Sequence, residues 1–174
     1  MNEKEFEKLF MEKSKDFVEN YDIDQDNMAP FKSIIKYFAG IDSKEAPLNK
    51  GLLIRGSIGS GKTMTLKIIQ QITKGFAINN VRDIVADFNM NGFDGINNYV
   101  KTLERVFDDI GNEENGKFYG NNTNVVQELI IRRYEQFQNK GIKSHFTTNL
   151  GTKEEILSKY GERAYDRLKE MCTL

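Results

Sequence analysis

Gly56-Ser57-Ile58-Gly59-Ser60-Gly61-Lys62-Thr63 satisfies the spacing G-x-x-x-x-G-K-[ST], a pattern made for holding phosphate. Glycines at 56, 59 and 61 permit backbone conformations that L-residues resist, so successive N–H groups can turn inward around an anion. Lys62 brings a compact positive charge to the β and γ phosphates, and the Thr63 hydroxyl is a ligand for Mg²⁺. The candidate nucleotide-contacting residues are therefore Gly56, Ser57, Ile58, Gly59, Ser60, Gly61, Lys62, Thr63 and Met64. ATP with Mg²⁺ is the expected ligand.

A second group of residues carries charge of the complementary kind. Val106-Phe107-Asp108-Asp109-Ile110-Gly111 places two carboxylates after an apolar pair, at the C-terminal end of a strand, where open parallel sheets bind their ligands. One carboxylate there can hold the hydration shell of Mg²⁺ and its neighbour can polarise an attacking water. Asp108 is assigned to the metal together with Thr63, and Asp109 to the water. The competing reading of the pair is a helix cap or a solvated turn.

These residues need a strand before the loop, a helix after it and a second strand under the acid pair. Gly51-Leu52-Leu53-Ile54-Arg55 supplies the first, an unbroken apolar run as in a strand covered on both faces. A helix is expected from about Gly61 to Thr73, with Gly75 free to take a left-handed cap behind Lys74. Beyond it the pattern predicts a strand over 76–79, a helix capped by Asn80 and broken between Gly92 and Gly95, a strand over 103–109 and a helix over 122–138. A fourth strand over 142–148 follows, then a helix opening on the capping box Thr152-Lys153-Glu154-Glu155 and a last helix over 162–171. Repeated strand, turn and helix imply an α/β fold of P-loop type, a parallel sheet with helices on both faces. Glu104 and Arg105 fit poorly in a buried strand, so that strand either starts late or opens to solvent at its beginning.

Residues 1–49 read as an N-terminal helical extension and 50–174 as the core. Phe6, Leu9, Phe10, Phe17 and Val18 have helical spacing between Glu3 and about Tyr21, and Phe31, Ile34, Ile35 and Phe38 form a second apolar stripe behind Pro30. Those faces either cover the core or dock a partner. The chain's 174 residues, 39% hydrophobic and 29% charged, suit one soluble domain. No apolar run reaches the length of a membrane span and the acidic start is unlike a signal peptide, so no membrane association and a cytoplasmic location are expected. Cys172 and His145 are one of each kind, too few for a Cys/His metal site, and read as packing residues. Net charge is −1, so any contact with DNA must be local. Arg132, Arg133, Lys140 and Lys143 are the cations placed for one, with a solvated helix face as the competing reading.

With GSIGSGKT, VFDDIG, HFTTNL and YGERAYDRL in that order, the chain resembles the AAA+ ATPases of the bacterial helicase-loader and transposon-ATPase group over about Lys50 to Met171. The resemblance implies that strand 4 lies between strands 1 and 3, and that Asn149 at its tip senses the γ phosphate or orients the attacking water. It also implies that Arg163 or Arg167, four apart on one helix face, reaches the ATP of a neighbouring subunit, for which a guanidinium is suited. The competing readings are that Asn149 shapes a turn and helix cap with Thr152, and that the arginines pair with acids on their own helix. In that family a further strand follows beside strand 1; this chain ends at Met171-Cys172-Thr173-Leu174, so the C-terminal strand and the lid are expected to be missing. The function implied is an ATP-hydrolysing protein that forms a homo-oligomer or assembles on a partner ATPase or helicase and remodels complexes in DNA replication or transposition. A nucleotide-controlled binding adaptor with little turnover and a small-molecule kinase are the alternatives.

Overall fold

The computed structural model describes the whole chain except Asn20, Asp24, Thr102 and Leu174. Its elements run α1 (Glu3–Ser14), α2 (Gln25–Phe38), β1 (Gly51–Arg55), α3 (Lys62–Thr73), β2 (Ala77–Asn80), α4 (Val81–Asn91) and α5 (Phe93–Val100). There follow β3 (Arg105–Ile110), β4 (Gly116–Phe118), β5 (Asn121–Thr123), α6 (Val125–Lys140), β6 (Ser144–Thr148), α7 (Lys153–Met171) and β7 (Cys172–Thr173). Five strands form one sheet in the order β2-β3-β6-β1-β7, every neighbouring pair parallel. β6 thus separates β1 from β3, as the resemblance implies, and the tips of these three strands lie side by side.

Alternation along the strands sends side chains to two cores. Val106 joins Phe6, Phe10, Phe31, Leu66, Ile68 and Ile69 under α1, α2 and α3. Phe107 and Phe146, both fully buried, face the other way into a cluster built by α4, α5, α6 and α7. The N-terminal helices therefore cover α3, since Phe6 and Phe10 have no exposure to spare for a partner. α1 is opened by a capping box in which Asn2 and Glu5 exchange backbone hydrogen bonds.

Several expectations are corrected. α1 stops at Ser14, whose hydroxyl turns back to the Met11 carbonyl at 2.9 Å, and Phe17 beyond it is 37% exposed; of the expected continuation, Asn20 lies outside the described residues. α2 begins earlier than Pro30, which sits inside it. Lys74, not Gly75, takes the left-handed cap of α3 with φ +50°. α5 follows α4 almost directly where the glycines suggested only a break: a Cβ on Gly95 would lie 2.3 Å from the Asp87 carbonyl oxygen, so this glycine permits helix contact. A two-stranded hairpin, β4 with β5, fills the stretch before α6, its turn carried by Tyr119 and Gly120, both with positive φ. The break expected before Glu162 is a kink at Gly161, with φ +78° and ψ 167° inside α7.

The C-terminal strand is present in short form. Cys172 and Thr173 pair with Gly51 and Leu52, so the expectation that this strand is missing does not hold; Leu174 lies outside the described residues. Gly51 is required between its neighbours, because an added Cβ would sit 1.8 Å from the Ser144 carbonyl oxygen. β3 starts at Arg105, which leaves Glu104 at the strand's entry to bond His145 Nε2 at 2.8 Å and Lys143 at 3.4 Å.

Arg133 also departs from expectation. It has no solvent exposure and serves as a staple, donating to Ser144 Oγ (2.8 Å) and to the carbonyls of Val100 (2.9 Å), Leu103 (3.0 Å) and Lys143 (2.7 Å). Burial pushes its pKa down to about 10, which leaves it charged near neutral pH but out of reach of DNA. Arg132 stacks over Phe93 at 4.7 Å and Lys143 is paired with Glu104; Lys140 is exposed. Among the described residues no helix is long and apolar enough to cross a membrane.

Candidate nucleotide site

The loop between β1 and α3 is held by two left-handed glycines, Gly59 (φ +83°) and Gly61 (φ +80°), the second capping α3. Gly56 has ordinary φ, and a Cβ there would lie 2.9 Å from Ser60 Oγ, which would have to turn away. The loop thus opens at the N-terminal, positive end of α3, a place suited to an anion. Lys62 Nζ is not extended into solvent but folded back, donating to the carbonyls of Gly56 (2.8 Å) and Ser57 (2.9 Å) and to Ser60 Oγ at 3.3 Å. Burial lowers its pKa, against the raising influence of Asp109 and Asp108.

Thr63 meets the acid pair directly. Its hydroxyl lies 2.9 and 3.0 Å from the two carboxylate oxygens of Asp108, which is 6% exposed. A second hydroxyl fixes that carboxylate: Thr147 Oγ1 donates to Asp108 Oδ1 at 2.7 Å and accepts the Asp109 N–H at 2.8 Å. Thr63 and Asp108 present hard oxygen donors of the kind Mg²⁺ takes, one or two from protein and the remainder from water and phosphate, so these residues fit the metal that the motif implies.

Asp109 stands at φ +67°, a left-handed conformation uncommon for a residue with a Cβ, where the β3–β6 register shifts between Phe107 and Ile110. Asn112 Nδ2 donates to its Oδ1 at 2.7 Å. Asn149 follows the tip of β6, its amide 3.4 Å from Asn112 Oδ1 and its own Oδ1 buried without a partner. Thr63, Asp108, Asp109 and Asn149 thus line one cleft of about 580 Å³ with Met64 and loop residues 58–62, while Gly56 and Ser57 do not reach it. Asn80, Arg82, Asn112 and Thr147 line it too. Sequence reasoning overlooked these four; the Thr-Thr pair before Asn149 was a visible signal for Thr147, and Asn80 drew notice only as a helix cap.

Beside the loop lies an apolar cleft of about 320 Å³ lined by Tyr21, Ile23, Pro30, Phe31, Ile34 and Met64, with Arg55 and Asp22 at its polar edge. Tyr21 is anchored to Thr65 by a 2.9 Å hydroxyl contact. The N-terminal segment therefore supplies a wall next to the anion site, of a size and polarity suited to a nucleoside.

Arg163 and Arg167 are not brought to this cleft. They line a surface hollow with Lys50 and Asp166, at the N-terminal end of β1, while the loop leaves its C-terminal end; five strand residues separate the two by about 16 Å. Arg167 pairs with Glu170 at 3.2 Å and covers the Tyr134 ring at 4.3 Å. Arg163 is exposed.

No protein-family model matches the chain, and no curated protein matches it by sequence. Solved structures do. A DNA replication initiation factor superposes with a TM-score of 0.64 at 13% identity, covering 90% of this chain, which spans 47% of that longer one. DnaI superposes with a TM-score of 0.61 at 17% identity, over 88% of this chain and 83% of its own. The likeness is one of fold: a five-stranded parallel sheet flanked by helices.

Proposed function

We propose that this chain binds ATP with Mg²⁺ in the cleft between the 56–63 loop, Asp108 and Asn149, hydrolyses it in an assembly, and remodels complexes in DNA metabolism as a helicase loader or transposition ATPase does. The observation that carries the reading is the meeting of Thr63 and Asp108, 45 residues apart in the chain, at 2.9 Å beside the anion loop. The partner class is supported by the fold shared with DnaI and with a DNA replication initiation factor.

In this reading the loop N–H groups take the phosphates, and Lys62 exchanges its carbonyl partners for β and γ oxygens. Thr63 and Asp108 would hold Mg²⁺, which would supply positive charge against the phosphates. Asp109, released from Asn112, accepts a proton from the attacking water, and the unpartnered Asn149 Oδ1 or its amide orients that water. The apolar cleft under Tyr21 and Phe31 takes the base. Arg163, too far to serve its own cleft, reaches the nucleotide of the next subunit, either another copy or a partner ATPase.

Steady-state turnover measured against protein concentration, with and without single-stranded DNA, tests this. Turnover per subunit rises on assembly; Asp109→Asn binds ATP but hydrolyses it poorly, and Arg163→Ala removes the rise while monomer binding is unchanged. Arginines supplied across a subunit boundary contribute about 10³ to 10⁵ in rate in well-studied nucleotide hydrolases. Flat turnover, or weaker monomer binding in Arg163→Ala, refutes the role of Arg163. The hold of Asn112 on Asp109 favours a second reading, a nucleotide-controlled adaptor. Binding without turnover at every concentration, with DNA present, selects it.

A further inference from the structure

Glu113 lies in the turn between β3 and β4, yet its side chain is only 3% exposed. It does not line the nucleotide cleft. A carboxylate held this deep is costly unless donors satisfy it, and its two oxygens find separate ones. Oε2 accepts the Gly111 N–H at 2.8 Å, while Oε1 accepts the Tyr160 hydroxyl at 2.8 Å. The Lys159 ammonium lies 3.7 Å from Oε1 and donates to the Glu113 carbonyl at 2.6 Å.

Each end of this link reaches a different part of the proposed ATPase. Gly111 belongs to the turn of Asp109 and has φ +107°; a Cβ on it would come 2.7 Å from Leu150, the neighbour of Asn149. Tyr160 immediately precedes the kink at Gly161, and Arg163 stands in the first turn beyond. The kink frees backbone carbonyls from helical bonding, and α6 takes them up: Gln127 Nε2 donates to the Tyr160 carbonyl at 2.6 Å and Asn124 Nδ2 to that of Lys159 at 2.8 Å. The bend in α7 is thus clamped from the start of α6 and from the acid turn together.

We propose that Glu113 is a positioning residue that couples the Asp109 turn to the α7 kink, so that nucleotide in the cleft sets the direction of the helix carrying Arg163. The inference rests on the reading of the cleft as an ATP site. Asp109 occupies a conformation that residues with a Cβ seldom hold. When bound nucleotide draws it from Asn112, the Gly111 N–H moves with it, and the buried carboxylate passes that shift to Tyr160.

Hydrogen–deuterium exchange over residues 158–166 of the full chain, with and without the slowly hydrolysed analogue ATPγS and Mg²⁺, tests the coupling. Affinity for the analogue is measured in parallel by fluorescence. In the wild type, saturation changes amide exchange at Gly161 to Ala164 by at least about fivefold, the low end of coupling between sites. Tyr160→Phe, which cuts only the outer half of the link, keeps its affinity within about threefold and loses the exchange response; Glu113→Gln, which keeps an acceptor for Gly111 and a donor for Tyr160, retains it. A merely structural Glu113 would leave the nucleotide response of Tyr160→Phe equal to that of the wild type, and that result overturns the proposal. So does a wild-type chain that binds the analogue with no change at 161–164. Failure to bind the analogue overturns the ATP reading as well, and the fluorescence measurement identifies that case by itself.

Discussion

Thr147→Val changes one hydroxyl to a methyl at a site 1% exposed, and tests whether Asp108 is held for a metal. The change removes the 2.7 Å bond to Asp108 and leaves the Asp109 N–H without its 2.8 Å acceptor. A hydrogen bond to a charged group contributes about 1.5–3 kcal/mol and an orphaned buried donor costs about 1–3 kcal/mol. Because both effects share one atom and the turn can relax, a loss of about 3 kcal/mol is expected, which lowers the melting temperature by about 6–12 °C for a chain of this size. Asp108 keeps Thr63 but loses its second anchor, and removal of such a support weakens metal affinity by about 10- to 100-fold. Thr148→Val is the control. Its hydroxyl also makes two bonds, to the Ile110 carbonyl (2.6 Å) and from Leu150 N–H (3.1 Å), but touches neither aspartate. Thermal melts should fall in both variants, whereas titration of Mg²⁺ into nucleotide-loaded protein should weaken in Thr147→Val alone. Equal Mg²⁺ dependence in the two variants would refute the reasoning.

Arg133→Met should lower stability by about 3–5 kcal/mol, because it leaves five acceptors on the 99–103 and 143–144 stretches without their donor, each orphaned buried group costing about 1–3 kcal/mol before the site relaxes; a urea midpoint like that of the wild type would contradict the staple role. His145 is pushed below its ordinary pKa, chiefly by burial, with Glu104 acting the other way. Its neutral ring accepts the Leu52 N–H on Nδ1 at 3.1 Å, so the unfolded chain takes up a proton that the folded chain resists. Stability from this group is present above about pH 6.5 and declines as pH falls, by at most about 1.4 kcal/mol per unit. His145→Gln should flatten the melting temperature between pH 7.5 and 5.5, and an unchanged slope would assign the effect elsewhere.

The placing of the loop between β1 and α3, and of the acid pair at the end of β3, was legible because each is set by a short stretch of sequence. Glycines and a Lys-Thr pair at set spacing mark a strand-to-helix turn, and Asp108 at the end of a parallel strand falls on the same edge of the sheet. What escaped depends on contacts distant in sequence. Gly92 and Gly95 looked like helix breakers, and only the close approach of α5 to Asp87 gives Gly95 its purpose. Arg133 looked like a surface cation although it follows Val126, Leu129 and Ile130 at helical spacing, on the buried face of α6; a charge at a buried position was the overlooked signal. Asn112 and Glu113 carry no pattern of their own in the sequence, and their partners Asp109 and Tyr160 become evident only when the turn after β3 folds and α7 returns to it. The last strand is two residues long, too short for any periodicity to reveal.

The central claim is that the 56–63 loop, through Lys62, binds the phosphates of ATP with Mg²⁺. Among the described residues Lys62 bonds to Gly56, Ser57 and Ser60 of its own loop, none of them buried, so water can replace the ammonium and Lys62→Ala should lower the melting temperature by only a few degrees, on the order of 1 kcal/mol. Equilibrium binding of a fluorescent ATP analogue to wild type and Lys62→Ala, with and without Mg²⁺, is the direct measurement. Loss of a charge-assisted hydrogen bond of about 1.5–3 kcal/mol weakens affinity by about 10- to 150-fold, and the account predicts that loss together with Mg²⁺-enhanced binding in the wild type. Comparable affinity in the two proteins, each shown to be folded, would contradict it.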